Sequence, residues 1–256
     1  MSLGAAISLM LSEEASVPKI LMRQRRKIAR IVEMIARAFQ IGGRLFYIGA
    51  GTSGRLAVLD ASECPPTFRT PPKQVQAIIA GGDAALRQAV EGAEDDVQAG
   101  RREIAHRRVS AKDVVVGIAA SGTTPFVWSA LVEAKKRRAR TVLVCFNPHL
   151  VIPPNLRPAL ILAPDLGPEV LTGSTRLKAG TATKLLLNIF TTLAMVRAGK
   201  VLGNLMIDLK PANAKLRRRA IRIVQELSGA DENSARDALI QTRWNVRKAI
   251  ARRSRK

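Results

Sequence analysis

Small residues and hydroxyl side chains follow two apolar segments of the sequence, where helices are expected to begin. The first loop is Gly49-Ala-Gly-Thr-Ser-Gly-Arg-Leu56 and the second is Ala119-Ala-Ser-Gly-Thr-Thr-Pro125. Glycine lets backbone N–H groups approach an anion, hydroxyl groups donate hydrogen bonds to it, and a helix N-terminus favours negative charge. The two loops therefore predict one phosphate site between them, although Ser and Thr are also ordinary helix N-caps.

A third cluster, Gly173-Ser-Thr-Arg-Leu-Lys178, could add hydroxyls and cations to the same anion. Across the three segments the candidate binding residues share a hydroxyl, a positive charge or a glycine backbone. They are Gly51, Thr52, Ser53, Ser121, Thr123, Thr124, Ser174 and Lys178.

The glycine pattern of the first loop has a second reading. Gly49, Gly51 and Gly54 match G-x-G-x-x-G after a strand, which is the fingerprint of dinucleotide binding. That fingerprint also expects an acidic residue at the end of the next strand, about 20 residues on. Asp83 comes noticeably late for this role, so a nucleotide-dependent oxidoreductase is the weaker alternative.

Two carboxylates lie between the first two loops, Glu63 and Glu94. Such a pair can divide general-acid and general-base work if the two environments separate the pKa values. Pro65 and Pro66 are expected to end the preceding helix, which would hold Glu63 at its terminus. The alternative is that both are ordinary solvated side chains.

Apolar spacing over residues 20–39 predicts a helix, and no structural role is given to Met1-Ser2-Leu3. Short apolar runs at 44–48, 75–80, 113–119, 141–145 and 159–163 predict buried strands, and a long helix is expected over 175–198. This alternation is typical of a parallel sheet with ligands beyond its carboxyl ends. The expected fold is α/β, with three layers and a mostly parallel central sheet.

The chain beyond residue 211 is basic and helical in pattern, with Gly229 between helical segments at 216–227, 233–240 and 244–250. We expect a main domain over residues 1–210 and a small C-terminal helical appendage over 211–256.

Composition excludes several classes of protein. Two cysteines, Cys64 and Cys145, are too few for a disulfide framework or a zinc cluster, which favours a reducing cytoplasm. No apolar run approaches the roughly 20 residues of a membrane span. The formal charge of +22, concentrated at 23–30, 135–140, 215–222 and 243–256, predicts attraction to polyanions or a merely solvated basic surface.

The loops resemble the N-acetylmuramic acid 6-phosphate etherases, a family with the sugar isomerase (SIS) fold. The resemblance runs from about Ile7 to Ile250. Besides the first loop, its strings are Leu59-Asp-Ala-Ser-Glu-Cys-Pro-Pro-Thr67, Ala89-Val-Glu-Gly-Ala-Glu-Asp95, Val114-Val-Val-Gly-Ile-Ala-Ala-Ser121 and Gly173-Ser-Thr-Arg-Leu-Lys-Ala-Gly-Thr181.

The resemblance implies cleavage of the D-lactyl ether of N-acetylmuramic acid 6-phosphate, without metal or nucleotide cofactor, in cell-wall sugar recycling. It implies that Glu63 donates a proton to the departing lactyl oxygen and that Glu94 is the base or the water activator. Thr52, Ser53, Ser121 and Thr124 would hold the 6-phosphate, with Ser174 and Lys178 nearby. It also implies a homodimer whose sites use residues of both subunits.

The sequence departs from the family pattern at Thr123, where an arginine is usual, which implies weaker phosphate or lactyl recognition. Asp83 replaces a usual glutamate. These departures and the high charge leave a rival hypothesis, a non-catalytic SIS protein that senses a sugar phosphate and binds an acidic partner or nucleic acid.

Overall fold

Five short strands form one parallel sheet in the computed structural model, which describes residues 1–253. They are β1 (Leu45–Gly49), β2 (Val75–Ile79), β3 (Val114–Ile118), β4 (Arg140–Val144) and β5 (Leu160–Leu162), in the order β2-β1-β3-β4-β5. All neighbours are parallel, and Gly49 pairs with both Ile79 and Ile118. The strand predictions are confirmed, and the carboxyl ends of the strands lie along one edge.

Nine α-helices surround or follow the sheet in the described residues. They are α1 (Leu3–Arg23), α2 (Arg25–Gln40), α3 (Gly51–Phe68), α4 (Val97–His106), α5 (Pro125–Lys136), α6 (Lys178–Arg197), α7 (Ala214–Ser228), α8 (Glu232–Gln241) and α9 (Val246–Arg253).

The sheet is covered on both faces, because every residue of β1 is buried and successive side chains point in opposite directions. Leu45 and Tyr47 join a core with α1, α2, α3 and α6, whereas Phe46 and Ile48 join a second core with α4 and α5. The predicted three-layer α/β architecture is confirmed.

The N-terminal segment forms helix α1. The Ser2 side chain caps α1 by accepting a hydrogen bond from the Ala5 N–H at 3.3 Å. Ser2 and Leu3, to which no structural role was given from the sequence, therefore take part in the start of α1. The single helix expected over 20–39 is interrupted at Gln24, which separates α1 from α2.

Helix α6 is long and apolar enough to cross a membrane by length and composition alone. In the fold it belongs to the first core, where Leu186, Phe190 and Ala194 are fully buried. Packing against α2 and α3 is the reason for its apolar composition.

Helices α7, α8 and α9 share a third core that begins at Ile207 and Leu209. Asp208 forms ion pairs with Lys200, which follows the end of α6, and with Arg247 of α9. The helical predictions for this region are confirmed, while the boundary at 210/211 stays a prediction. Of the basic segment 243–256, residues 254–256 lie outside the described part of the chain.

Candidate functional site

The glycines of the first loop have separate structural roles. A side chain on Gly49 would lie 2.8 Å from the Gly54 backbone nitrogen, and one on Gly54 would lie 2.5 Å from Ile79 Cγ1. Both glycines therefore let α3 start close to β1 and β2. Gly51 has a positive φ of 52°, a backbone conformation that glycine adopts without strain. It also faces open space, which leaves the first turn of α3 accessible.

No side chain caps the start of α3, where Ala50 occupies the N-cap position. Thr52 and Ser53 lie half-buried in the first turn. The unpaired N–H groups of a first turn attract anions, and here two hydroxyls stand beside them. The first turn of α3 is therefore uncapped, and phosphate binding there stays a prediction.

The second loop leaves the same sheet edge from β3, the neighbour of β1. The Ser121 and Thr123 hydroxyls are 2.8 Å apart, and the Thr123 N–H donates to Ser121 Oγ at 3.2 Å. Trp128 Nε1 donates to the Gly122 carbonyl and Asn147 Nδ2 to the Ser121 carbonyl. Two side chains from neighbouring segments thus hold the loop by its carbonyls, and Ser121 and Thr123 are exposed.

The third cluster precedes α6, which starts beside α3. A side-chain carbon added to Gly180 would lie 3.6 Å from Thr52 Cγ2. The structure therefore brings the first loop and the start of α6 together. Ser174 lies half-buried in the loop before this helix.

Lys178 differs from the expectation of an accessible cation. The residue is only 2% exposed, and Nζ lies 2.6 Å from Glu13 Oε2 of α1. The first N–H groups of α6 are also occupied, because Glu169 accepts hydrogen bonds from the Lys178 and Ala179 nitrogens at 3.0 Å each. An internal carboxylate thus completes the start of this helix.

Glu94 lies in a short 3₁₀ turn, Ala93–Asp95, and is exposed. The preceding loop follows β2, the other neighbour of β1, and is tied to α3 by Arg55. The Arg55 guanidinium donates to the Leu86 carbonyl at 3.3 Å and to the Gln88 carbonyl at 3.0 Å. Beside this loop lies a cavity of about 770 Å³ lined in part by Gly81 and Gly92.

The expected position of Glu63 is wrong in one respect. Helix α3 continues through Pro65 and Pro66 to Phe68, so Glu63 is exposed within the helix rather than at its end. The two prolines remove backbone donors, but Cys64 and Phe68 stay buried in the first core. The packing of this last stretch outweighs the local cost of the prolines.

Cys64, which follows Glu63, is a packing residue. Its thiol is 2% exposed and donates to the Asp60 carbonyl at 3.4 Å. Burial, followed by the nearby negative charge of Asp60, raises the pKa of the thiol to about 12. It therefore stays protonated near neutral pH and is a poor nucleophile.

Sequence reasoning missed four residues that shape this region: Glu13, Arg55, Asp60 and Glu169. Arg55 lies within the first loop string, and Asp60 lies three residues before Glu63. A charged residue beside a predicted binding loop or beside a predicted catalytic residue was the signal that could have indicated them. Glu13 pairs with a residue 165 positions away, which no local pattern indicates.

Comparison with known proteins supplies the family. Residues 27–135 match the family model described as "Glucokinase regulatory protein N-terminal SIS domain". Residues 203–255 match the one described as "C-terminal lid domain of glucokinase regulatory protein". An N-acetylmuramic acid 6-phosphate etherase of Gloeobacter violaceus is 55% identical over 87% of this chain and 72% of its own length. The chain belongs to the N-acetylmuramic acid 6-phosphate etherase family.

Other etherases match over more of the chain. Those of Serratia proteamaculans and Staphylococcus epidermidis are 49% and 46% identical, and each alignment covers 98% of this chain and 84% of the relative. The predicted family is confirmed, and neither the sensor hypothesis nor the dinucleotide reading is favoured.

Solved structures at low identity support the SIS-type fold alone. A protein of E. coli CFT073, solved in complex with A5P, has a TM-score of 0.54 at 16% identity and covers 77% of this chain and 94% of its own. A phosphoheptose isomerase of Neisseria gonorrhoeae has a TM-score of 0.52 at 13% identity and covers 77% and 100%.

Proposed function

We propose that this chain cleaves the D-lactyl ether of N-acetylmuramic acid 6-phosphate, giving N-acetylglucosamine 6-phosphate and D-lactate. Membership of the etherase family over nearly the whole chain carries this proposal. The open first turn of α3 supports it, because a sugar phosphate needs a site for its anion. Such an enzyme is a carbon–oxygen lyase of cell-wall sugar recycling, and we place it in the cytoplasm.

The reaction proceeds by elimination and water addition. Opening of the sugar ring exposes a C1 aldehyde that acidifies the C2 proton, and a base removes this proton. The electron pair forms the C2–C3 double bond as lactate leaves C3 and its oxygen takes up a proton. Water then adds to the unsaturated aldehyde, which returns a hydroxyl to C3 and a proton to C2.

Each candidate residue has a role in this scheme. Glu63 protonates the departing lactyl oxygen, and Glu94 is the base or the water activator. The backbone of Gly51 and the hydroxyls of Thr52, Ser53, Ser121, Thr123 and Thr124 bind the 6-phosphate. Ser174 lies beside them. Lys178 supports the site from its buried side, because its ammonium is paired with Glu13.

Release of D-lactate from N-acetylmuramic acid 6-phosphate tests the activity. We expect purified wild type to release lactate, and Glu63→Gln and Glu94→Gln each to lose at least about 100-fold in kcat. Glu91→Gln, an exposed carboxylate in the same loop as Glu94, is the matched control and should keep wild-type rates. Wild type that binds the sugar phosphate but releases no lactate would contradict the proposal.

A homodimer is the second part of the proposal, and the length of α3 supports it. Thr52 and Glu63 lie on the same helix, and at 1.5 Å per residue they are about 16 Å apart along its axis. That separation is longer than a single sugar phosphate. We propose that Glu63 acts in the site of a second copy, while Glu94 acts beside the phosphate loop of its own chain.

Helix α1 offers a surface for that second copy. Over residues 3–12 every side chain is exposed except the half-buried Ala6. The exposed fractions of Leu3, Ile7, Met10 and Leu11 are 79%, 50%, 43% and 66%, and their spacing puts them on one face. An apolar helix face of this kind is typical of an interface between subunits.

Mixed dimers test where Glu63 acts. Glu63→Gln lacks the acid, and Ser53→Glu blocks the phosphate site, so each variant alone should be inactive. If Glu63 acts across the interface, mixing the two restores one complete site per heterodimer, or about a quarter of wild-type activity after random exchange. If no activity returns although subunits exchange, the acid acts within its own chain.

Attraction to polyanions is the third part of the proposal, and the exposed face of α7 supports it. Lys215, Arg218, Arg219 and Arg222 line one shallow cavity of about 360 Å³. None of the four takes part in an ion pair within residues 1–253.

Heparin binding at several salt concentrations tests this attraction. Replacing Arg218, Arg219 and Arg222 with Ala should flatten the salt dependence of the affinity. Replacing Arg25, Arg26 and Arg30 of α2 removes the same charge from another exposed surface and is the control. Equal effects of the two triple variants would contradict a role specific to α7.

A further inference from the structure

A buried carboxyl lies one helical turn before Glu63 and is used by no step of the proposed reaction. Asp60 is 5% exposed, and its Oδ1 accepts a hydrogen bond from Thr191 Oγ1 of α6 at 3.1 Å. Its Oδ2 is buried without a hydrogen-bond partner in the described part of the chain. Polar groups in this state are few in folded proteins and call for an explanation.

Tyr47 of β1 provides the third side of the cluster. It is fully buried, and its hydroxyl also lacks a hydrogen-bond partner among the described residues. The charge of Asp60 adds to burial in raising the pKa of Tyr47 well above its usual value. Tyr47 thus belongs to the electrostatic surroundings of Asp60 and is not one of its hydrogen-bond partners.

The electrostatic surroundings of Asp60 come from the same elements. Burial raises the pKa of its carboxyl to about 6, against the opposing effects of the Thr191 hydroxyl, the charge of Lys184 and the Tyr47 hydroxyl. Cys64 and Glu63 are the other titratable groups of this cluster. Since the pKa is raised in the fold, the contribution of Asp60 to stability is fully present below about pH 4 and is lost as the pH rises through about 6.

The backbone of α3 needs an anchor at this position. Pro65 and Pro66 have no N–H groups, so the Ala61 and Ser62 carbonyls lose their usual helical donors. The part of α3 around Glu63 therefore has fewer backbone hydrogen bonds than the same length of an ordinary helix. A side chain of α3 that is hydrogen-bonded to α6 can supply the missing restraint.

We propose that Asp60 is a positioning residue for the catalytic helix: through its hydrogen bond with Thr191 it fixes the rotation of α3 and thereby the direction of Glu63. This inference rests on the proposed function for the role of Glu63. An amide at position 60 can donate to Thr191, which itself donates to the Leu187 carbonyl at 3.1 Å. Asp60→Asn therefore keeps the anchor, whereas Asp60→Ala removes it.

Steady-state kinetics of lactate release separates positioning from packing. Asp60→Ala should lower kcat at least tenfold with KM changed less than threefold, and Asp60→Asn should stay within threefold of wild type in both. Asp60→Asn should also melt at a higher temperature than wild type at pH 8, with the difference vanishing near pH 4. If Asp60→Ala melts lower but keeps kcat within twofold, Asp60 serves packing only.

Two buried threonines of α6 give a matched pair for the same test. Thr191 and Thr183 are 3% and 2% exposed, and each donates to a carbonyl of its own helix, but only Thr191 also reaches Asp60. Thr191→Val should lower kcat several-fold, and Thr183→Val should not. Equal kcat values for the two variants would overturn the anchoring role of Thr191.

Thiol labelling tests the position of Glu63 without any activity. Both native cysteines are buried, so the thiol introduced by Glu63→Cys should react first with a maleimide. We expect Asp60→Ala to change this labelling rate at least fivefold and Asp60→Asn to leave it within twofold. An unchanged labelling rate in Asp60→Ala contradicts the inference, whether or not wild type releases lactate. A changed labelling rate together with a wild type that releases no lactate contradicts only the proposed function.

Discussion

Helices α3 and α6 begin side by side at the same edge of the sheet, but their first turns are completed differently. The start of α3 has no side-chain cap and opens to solvent at Gly51. The start of α6 is filled by the Glu169 carboxylate, and its Lys178 is paired with Glu13. Glycines, hydroxyl side chains and a cation lie around the start of both helices, so composition does not distinguish them. What distinguishes a ligand site from a structural joint is whether the chain has already supplied the anion.

The largest expected effect comes from giving α3 an internal anion of its own. Ser53 is the third residue of α3, from which a glutamate can reach back to the start of the helix. Ser53→Glu should weaken binding of N-acetylglucosamine 6-phosphate by about 100-fold, since both carboxylate and phosphate need the same N–H groups. Isothermal titration calorimetry measures this, and Ser53→Ala, with a smaller loss, is the control.

Breaking the Glu13–Lys178 pair should have the next largest effect. Glu13→Gln leaves a buried ammonium without its carboxylate, which should lower the free energy of unfolding by about 1–3 kcal/mol. Glu232→Gln removes one partner of an exposed pair with Arg236 and should change stability by less than about 0.5 kcal/mol. Urea unfolding of both variants measures the difference, and equal losses would contradict a special role for the α1–α6 pair.

Opening the start of α6 should have a smaller effect on stability. Glu169→Ala frees the Lys178 and Ala179 N–H groups and should cost about 1 kcal/mol, as the loss of a helix cap does. If the comparison is correct, inorganic phosphate should then raise the melting temperature of this variant more than that of wild type. The same phosphate response in both proteins would mean that Glu169 does not occupy an anion site.

The start of α5 extends the comparison and carries the smallest expected effect. The loop over residues 119–125 contains no Lys or Arg, and the Thr123 hydroxyl is hydrogen-bonded to Ser121. Thr123→Arg should lower KM for the sugar phosphate about threefold, since a charged donor binds phosphate more strongly than a hydroxyl. Thr124→Ala, measured beside it, should change KM in the opposite direction.

The sequence was sufficient for the sheet and its loops because those signals are local. Each strand is a short apolar run bounded by small or polar residues, and each of the two loops predicted to bind phosphate follows such a run directly. The continuation of α3 through Pro65 and Pro66 could not be predicted, because it depends on the burial of Cys64 and Phe68 against other elements. Likewise, the contact between Glu13 and Lys178 joins residues 165 positions apart, and only the folded chain reveals it.

The end of α3 has one more neighbour, whose effect concerns heat rather than chemistry. The Pro66 carbonyl accepts a hydrogen bond from the Lys210 N–H at 3.2 Å. Lys210 lies between Leu209 and α7, which both belong to the third core. Parts of a protein with small cores open before the rest does. Fraying of the C-terminal helices would release this end of α3 while the sheet is still intact. On warming, activity should therefore fade a few degrees before the main melting transition.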